Sequence, residues 1–196
     1  MRASLVARIV AVGLIAGCGS SDSSSAATDT SANSARLAVV VIGDSVTARS
    51  KNKFTLDEFD LFIYAQSGIT IEEQLPAIES AIGRSPHVLV IQLGGNDMGH
   101  WGPAIEAEVN QILDDAAALD CVRWVNLAGA IPELEKLNQF LADQVGSRSN
   151  FAVIDWATAV AEHPTWLDTD NVHPGDPEGQ VGYAQLVSES VRACTL

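Results

Sequence analysis

The stretch 37-LAVVVIGDSVTARS-50 decides how the rest of the chain is read. Ala38 to Ile42 form an unbroken apolar run, the signature of a strand buried on both faces. The run leads straight into Gly43-Asp44-Ser45. A glycine lets the backbone turn sharply there, and the turn presents a serine hydroxyl at the carboxyl end of the strand. Four more short runs rich in Val, Ile and Leu follow at 61–65, 88–93, 122–127 and 151–154.

Helical signals fill the gaps. Thr70-Ile71-Glu72-Glu73 is a capping box. Ile71, Leu75, Ile78 and Ile82 then recur on one face until Gly83, a good terminator. Pro76 inside this segment predicts a bend. Pro103 opens a second helix with the stripe Ile105, Val109, Ile112, Ala116 and Leu119. Pro132 opens a third with Leu134, Leu137, Leu141 and Val145, and Tyr183, Val187, Val191 and Cys194 line a last one. This alternation predicts an α/β domain, a parallel sheet with helices on both faces. Ligands in such sheets bind beyond the carboxyl ends of the strands, where Ser45 stands.

The first residues read differently. Arg2 and Arg8 precede the short apolar segment IVAVGLIA, and Gly17-Cys18 follow it. Residues 1–17 are expected to be a signal peptide, too short to span a membrane. LIAGC resembles a bacterial lipobox, which implies Cys18 as a lipidated first mature residue. Residues 18–35, small and polar after the cysteine, are expected to form a flexible tether reaching roughly 20–25 Å. The folded domain is expected over 36–196. No apolar run near 18 residues long follows Ala16, so the expected membrane attachment is the N-terminal lipid alone and the expected place is the extracytoplasmic face of a bacterial membrane. The formal charge of −14 becomes two units more negative without Arg2 and Arg8. That argues against nucleic acid and against direct adhesion to anionic lipid. Cys121 and Cys194 can pair in an oxidising compartment; the last helix would place Cys194 toward the sheet, with Cys121 opening the fourth strand.

A serine hydroxyl needs a base to become a nucleophile, and the base needs a carboxylate to orient it. His173 in DTDNVHP has Asp170 three residues before it. A carboxylate at that spacing can reach back to Nδ1 and leave Nε2 for Ser45; Asp168 competes for the role. His163 reads as a loop residue, His87 as exposed, and His100 as a residue of the site rim. An acyl-transfer site also needs donors for the developing oxyanion. QLGGNDMGH ends the third strand and supplies Asn96; YAQSGIT ends the second and supplies the Gly68 N–H.

The four blocks together resemble the SGNH, or GDSL-type, hydrolases: Gly43-Asp44-Ser45, then Gly68, then Gly94-Gly95-Asn96-Asp97, then Asp170-Asn171-Val172-His173. They stand in family order over residues 37 to about 190. The first block departs from the family's name-giving pattern by carrying Val46 in place of leucine. The resemblance implies a three-layer, flavodoxin-like fold with five parallel strands in the order 2-1-3-4-5. It implies Ser45 as nucleophile, His173 as base, Asp170 as orienter, and the Ser45 N–H, Gly68 N–H and Asn96 as oxyanion hole. Within the family the chain is most similar to extracytoplasmic domains that handle O-acyl groups on bacterial glycans. The implied activity is hydrolysis of short O-acyl esters, such as acetylated glycan, without cofactor or metal and as a monomer. An acyltransferase and an inactive binding lipoprotein are the rivals. The alternating acids of DTDNVHPGDPEG do not fit a calcium loop, since Val172 and His173 stand where a ligand and a glycine are required. Trp101, Trp156 and Trp166 are candidates to line an acyl or sugar site, whereas Trp124 is expected in the core.

Overall fold

The computed structural model describes residues 36–195, so the signal, Cys18 and tether readings lie outside the described residues. Five strands alternate with six helices: β1 Ala38–Gly43, α1 Ser45–Ser50, β2 Asp60–Ala65, α2 Ile71–Gly83, β3 Val88–Gln92, α3 Pro103–Asp115, β4 Cys121–Val125, α4 Leu134–Gln144, β5 Phe151–Ile154, α5 Trp156–Glu162 and α6 Glu178–Ala193. All strand pairs are parallel, in the order β2-β1-β3-β4-β5. This is the order the motif resemblance implies.

Two apolar layers follow from the strand pleat, which sends alternate side chains to opposite faces. Val40 and Ile42 of β1 join Leu89, Ile91 and Trp124 under α2, α3 and α4. Val39 and Val41 join Val88, Val90 and Val125 under Tyr183, Val187 and Val191 of α6. Because β1 and β3 are covered on both sides, their runs are apolar without interruption. β2 is an edge strand, and its Phe62 and Tyr64 stay exposed. Cys121 and Cys194 form a disulfide with Cα atoms 6.0 Å apart, fastening the residue after α6 to the start of β4.

Several local expectations change. Pro76 lies inside α2 without ending it; it sits on the exposed face, where water can satisfy the carbonyl that the missing N–H leaves free. The α3 stripe continues into a separate 3₁₀ turn, which holds Ala116. α4 ends at Gln144, and Val145 turns extended and outward instead of completing the stripe. His87 is not free on the surface: its Nδ1 lies 2.9 Å from Asp120 Oδ2.

Candidate active site

Ser45 is the first residue of α1, immediately beyond β1. The preceding Asp44 caps α1 by accepting the Val46 N–H at 2.9 Å. The tightness of this strand-to-helix turn explains Gly43: a Cβ there would lie 2.3 Å from Thr47 Oγ1. Thr47 then anchors the turn from inside. Its hydroxyl donates to Gln92 Oε1 at 3.1 Å and accepts from the Tyr183 hydroxyl at 2.8 Å. The serine-bearing helix is thereby tied to the end of β3 and to α6.

His173 reaches Ser45 from the loop before α6. Its Nε2 lies 2.7 Å from Ser45 Oγ, and its Nδ1 lies 2.7 Å from Asp170 Oδ2. The other oxygen, Asp170 Oδ1, accepts the backbone N–H groups of Val172 and His173, both at 2.9 Å. Those two backbone donors, His173 first, and then the His173 ring hold the Asp170 carboxyl well below the usual carboxylate range. The loop itself is pinned. The Asp168 N–H donates to His173 O at 2.7 Å, and the Ala130 N–H donates to Asn171 O at 2.7 Å. Asn171 is left-handed at φ 55°. Gly129, at φ 89°, is the close approach: a Cβ would stand 2.1 Å from Asn171 O.

Asn96 belongs to a 3₁₀ turn, Gly95–His100, just after β3. Its amide donates to Ile69 O at 2.9 Å and reaches Asp44 Oδ2 only at 3.5 Å. Asp44 is almost fully buried, and burial pushes its carboxyl up to about 6, with the Val46 N–H opposing the shift. A cavity of about 90 Å³ opens between Ser45, Asn96 and His173, and Leu127, Ile131 and Val172 give it apolar walls. Gly68 stands at an exposed turn beyond β2 with φ 79°, outside the lining of this cavity. A base in hydrogen-bond reach of a hydroxyl, oriented in turn by a carboxylate, can take the hydroxyl proton as the oxygen attacks.

The aromatic candidates for the site do not line the cavity. Trp101 packs edge-on against Phe140, its Nε1 donates to Glu106, and it does not line the cavity. Trp156 is buried and stacks on Trp166. His100 is exposed and off the cavity; His163 lies between α5 and the next turn, the loop position expected, and stacks on Trp166. Trp124 is in the core as expected. Sequence reasoning missed the residues around Ser45 and His173: Gln92, Leu127 and Ile131 in the cavity wall, and Arg49 and Lys53, which face carboxylates of the His173 loop. A signal for the cations was present, since three of the chain's eleven basic residues fall between positions 49 and 53.

No profile of a known protein family matches the chain. Among curated proteins it is similar to the O-acetyltransferase OatA of Staphylococcus aureus, with 25% identity over 137 residues, which are 68% of this chain and 22% of that protein. The chain thus spans about a fifth of that relative's length. Among solved structures it is similar to the C-terminal catalytic domain of Streptococcus pneumoniae peptidoglycan O-acetyltransferase A, at a TM-score of 0.67 and 21% identity over 82% of this chain and 96% of that one. A lipase/acylhydrolase from Enterococcus faecalis follows at a TM-score of 0.64 and 19% identity, covering 80% and 96%. An acetylxylan esterase from Geobacillus stearothermophilus superposes at 0.59 with 16% identity, covering 82% and 94%. At these identities the likeness to the solved structures is one of fold.

Proposed function

We propose that this chain, an SGNH hydrolase by its fold and its four motif blocks, is a serine esterase that removes a short O-acyl group, acetyl above all, from a glycan. The observation that carries the reading is the unbroken line Asp170–His173–Ser45, with 2.7 Å at each step. Ser45 Oγ attacks the ester carbonyl while its proton passes to His173 Nε2. Asp170 holds the ring and stabilises the imidazolium. The negative oxygen of the tetrahedral adduct takes the Ser45 N–H, which has no acceptor among the described residues; the Gly68 N–H that the motif resemblance implies as a further donor stands outside the lining of the cavity. The oxygen also takes the second amide hydrogen of Asn96, which is held only weakly by Asp44. The alcohol leaves with the proton from His173. Water then attacks the acyl-enzyme, gives its proton to His173, and frees the acid and Ser45. No step needs a cofactor.

The size of the cavity supports a short acyl group. About 90 Å³ beside Ser45, walled by Leu127, Ile131 and Val172, is small against the few hundred Å³ of ordinary ligand pockets. Exposure supports hydrolysis: the side chains of His173 and Asp170 are 21% and 41% exposed, so water has access to the base at the acyl-enzyme stage. The reading of residues 1–35 as signal and lipidated tether would place this chemistry in the bacterial envelope, where acylated glycans are found.

Aryl esters from acetate to dodecanoate test the first reading. Turnover is expected to be highest at acetate and to fall by at least about 10³-fold in Ser45→Ala. Peak activity at long chains refutes the short-acyl assignment, and an unchanged Ser45→Ala refutes the mechanism. A second reading, transfer of acetyl to a glycan hydroxyl, is favoured by the likeness to the two O-acetyltransferases. The same residues serve both. An activated acetyl ester supplied with cell-wall oligosaccharides separates them by mass: acetylated glycan formed faster than free acetate selects transfer, and acetate released from acetylated glycan selects hydrolysis.

A further inference from the structure

We infer that Arg49 is a positioning residue for the triad, the main half of an ionic clamp that holds the His173 loop against the serine-bearing helix. The inference rests on the reading of Ser45, His173 and Asp170 as a triad. Arg49 stands one helical turn beyond Ser45 on α1. Its Nη1 lies 3.2 Å from Asp168 Oδ2, and its Nη2 lies 3.8 Å from Asp170 Oδ2, the oxygen that faces the His173 ring. Lys53 repeats the contact at the far end of the loop, 3.1 Å from Asp176 Oδ1. The charges are segregated. Residues 45–53 hold Arg49, Lys51 and Lys53 and no carboxylate; residues 168–176 hold Asp168, Asp170 and Asp176 and no Lys or Arg.

Magnitude decides what such a clamp does. Arg49 and both its partners are about half exposed, and exposed pairs add ~0–1 kcal/mol to global stability. The effect therefore falls on the site. A guanidinium on the outer side of Asp170 opposes proton uptake by the neighbouring imidazole and keeps the base available in mild acid. Its planar fork also spans the two loop carboxylates at once, a geometry that an ammonium cannot copy. The charged groups facing His173 are then Asp170 and, through Arg49, Asp168 from its own loop, Asp44 from the end of β1, and Arg49 from α1.

The test compares wild type, Arg49→Gln and Arg49→Lys. It follows kcat and KM for an aryl acetate against pH, the thermal midpoint, and the pH titration of the His173 ring by NMR, its signal assigned by loss in His173→Gln. In Arg49→Gln the acid limb and the ring titration are expected to move up by roughly 0.5 pH unit. Plateau kcat should fall three- to tenfold with KM within twofold, and the thermal midpoint should stay within about 2 °C. Arg49→Lys should restore the limb but only part of kcat. Salt at 0.5 M should narrow the gap between the wild-type and Arg49→Gln titrations, since only wild type has the guanidinium to screen. An unshifted ring titration in Arg49→Gln, or a salt response equal to that of wild type, overturns the inference. Turnover with an unshifted titration keeps the esterase and removes the clamp; a shifted titration without ester turnover keeps the clamp and removes the esterase. If Arg49→Gln does not fold, Arg49→Lys and the salt response of wild type carry the test.

Discussion

Asp168 and Asp170 carry the same carboxylate two positions apart, and only Asp170 reaches the His173 ring. Backbone direction makes the difference. The left-handed Asn171 folds the chain back so that Asp170 Oδ1 collects the two N–H groups that follow it, while Oδ2 is left for the imidazole. Asp168 instead binds the Thr169 N–H and Arg49. Asp170→Asn is expected to lower kcat by about 10²–10⁴-fold with the fold intact, because an amide can donate to Nδ1 and select the wrong tautomer. Asp168→Asn should cost less than tenfold. Steady-state rates and circular dichroism of both variants check this, and the reverse order of losses would exchange the two roles.

Among the elements, α6 depends most on a covalent tie. The disulfide closes a separation of 73 residues, which on the chain-entropy account stabilises by about 4 kcal/mol. Cys121→Ser with Cys194→Ser should lose roughly that amount in urea unfolding, and the unfolded, unreduced chain should show neither of these two thiols free. A loss under about 1 kcal/mol would mean that the bridge adds little. The five strands and the α2 capping box were legible because each is written locally, as a run or a cap; the Cys121–Cys194 pairing and the Ser45–His173–Asp170 line span distant positions and were legible from the ends of elements and the motif blocks. What was not legible depends on neighbours distant in sequence. Val145 keeps the helical spacing, but the chain has already left the helix. Trp156 finds Trp166 and Tyr183 rather than the cavity. Trp101 follows the Asn96 turn in sequence, yet α4 supplies Phe140 to hold it away. Arg49 gave no local sign of its partners 119 and 121 positions later, which only the packing of the His173 loop brings near.

For the molecule as a whole, 25 acidic residues against 11 basic ones set the response to pH. Self-repulsion relaxes as pH falls from 8 toward 5, and Asp44 acts in the same direction. Its native value of about 6 lies above the ordinary 3.8. Its contribution is therefore fully present below about 4 and is lost as pH rises through about 6, a change on the order of 1 kcal/mol between pH 5 and pH 8. Asp170, shifted the other way, keeps its contribution across that interval and loses it only in stronger acid. The stability of wild type by urea unfolding should rise from pH 8 to pH 5, and that of Asp44→Asn should rise less, by on the order of 1 kcal/mol. Equal slopes would return Asp44 to an ordinary carboxylate. The 128 positions between Ser45 and His173 also have a meaning in time. At a synthesis rate of ~5–20 residues per second, the base leaves the ribosome roughly 6 to 25 s after the serine. Over that interval, under the proposed mechanism, the nascent chain carries its nucleophile without the base that would activate it.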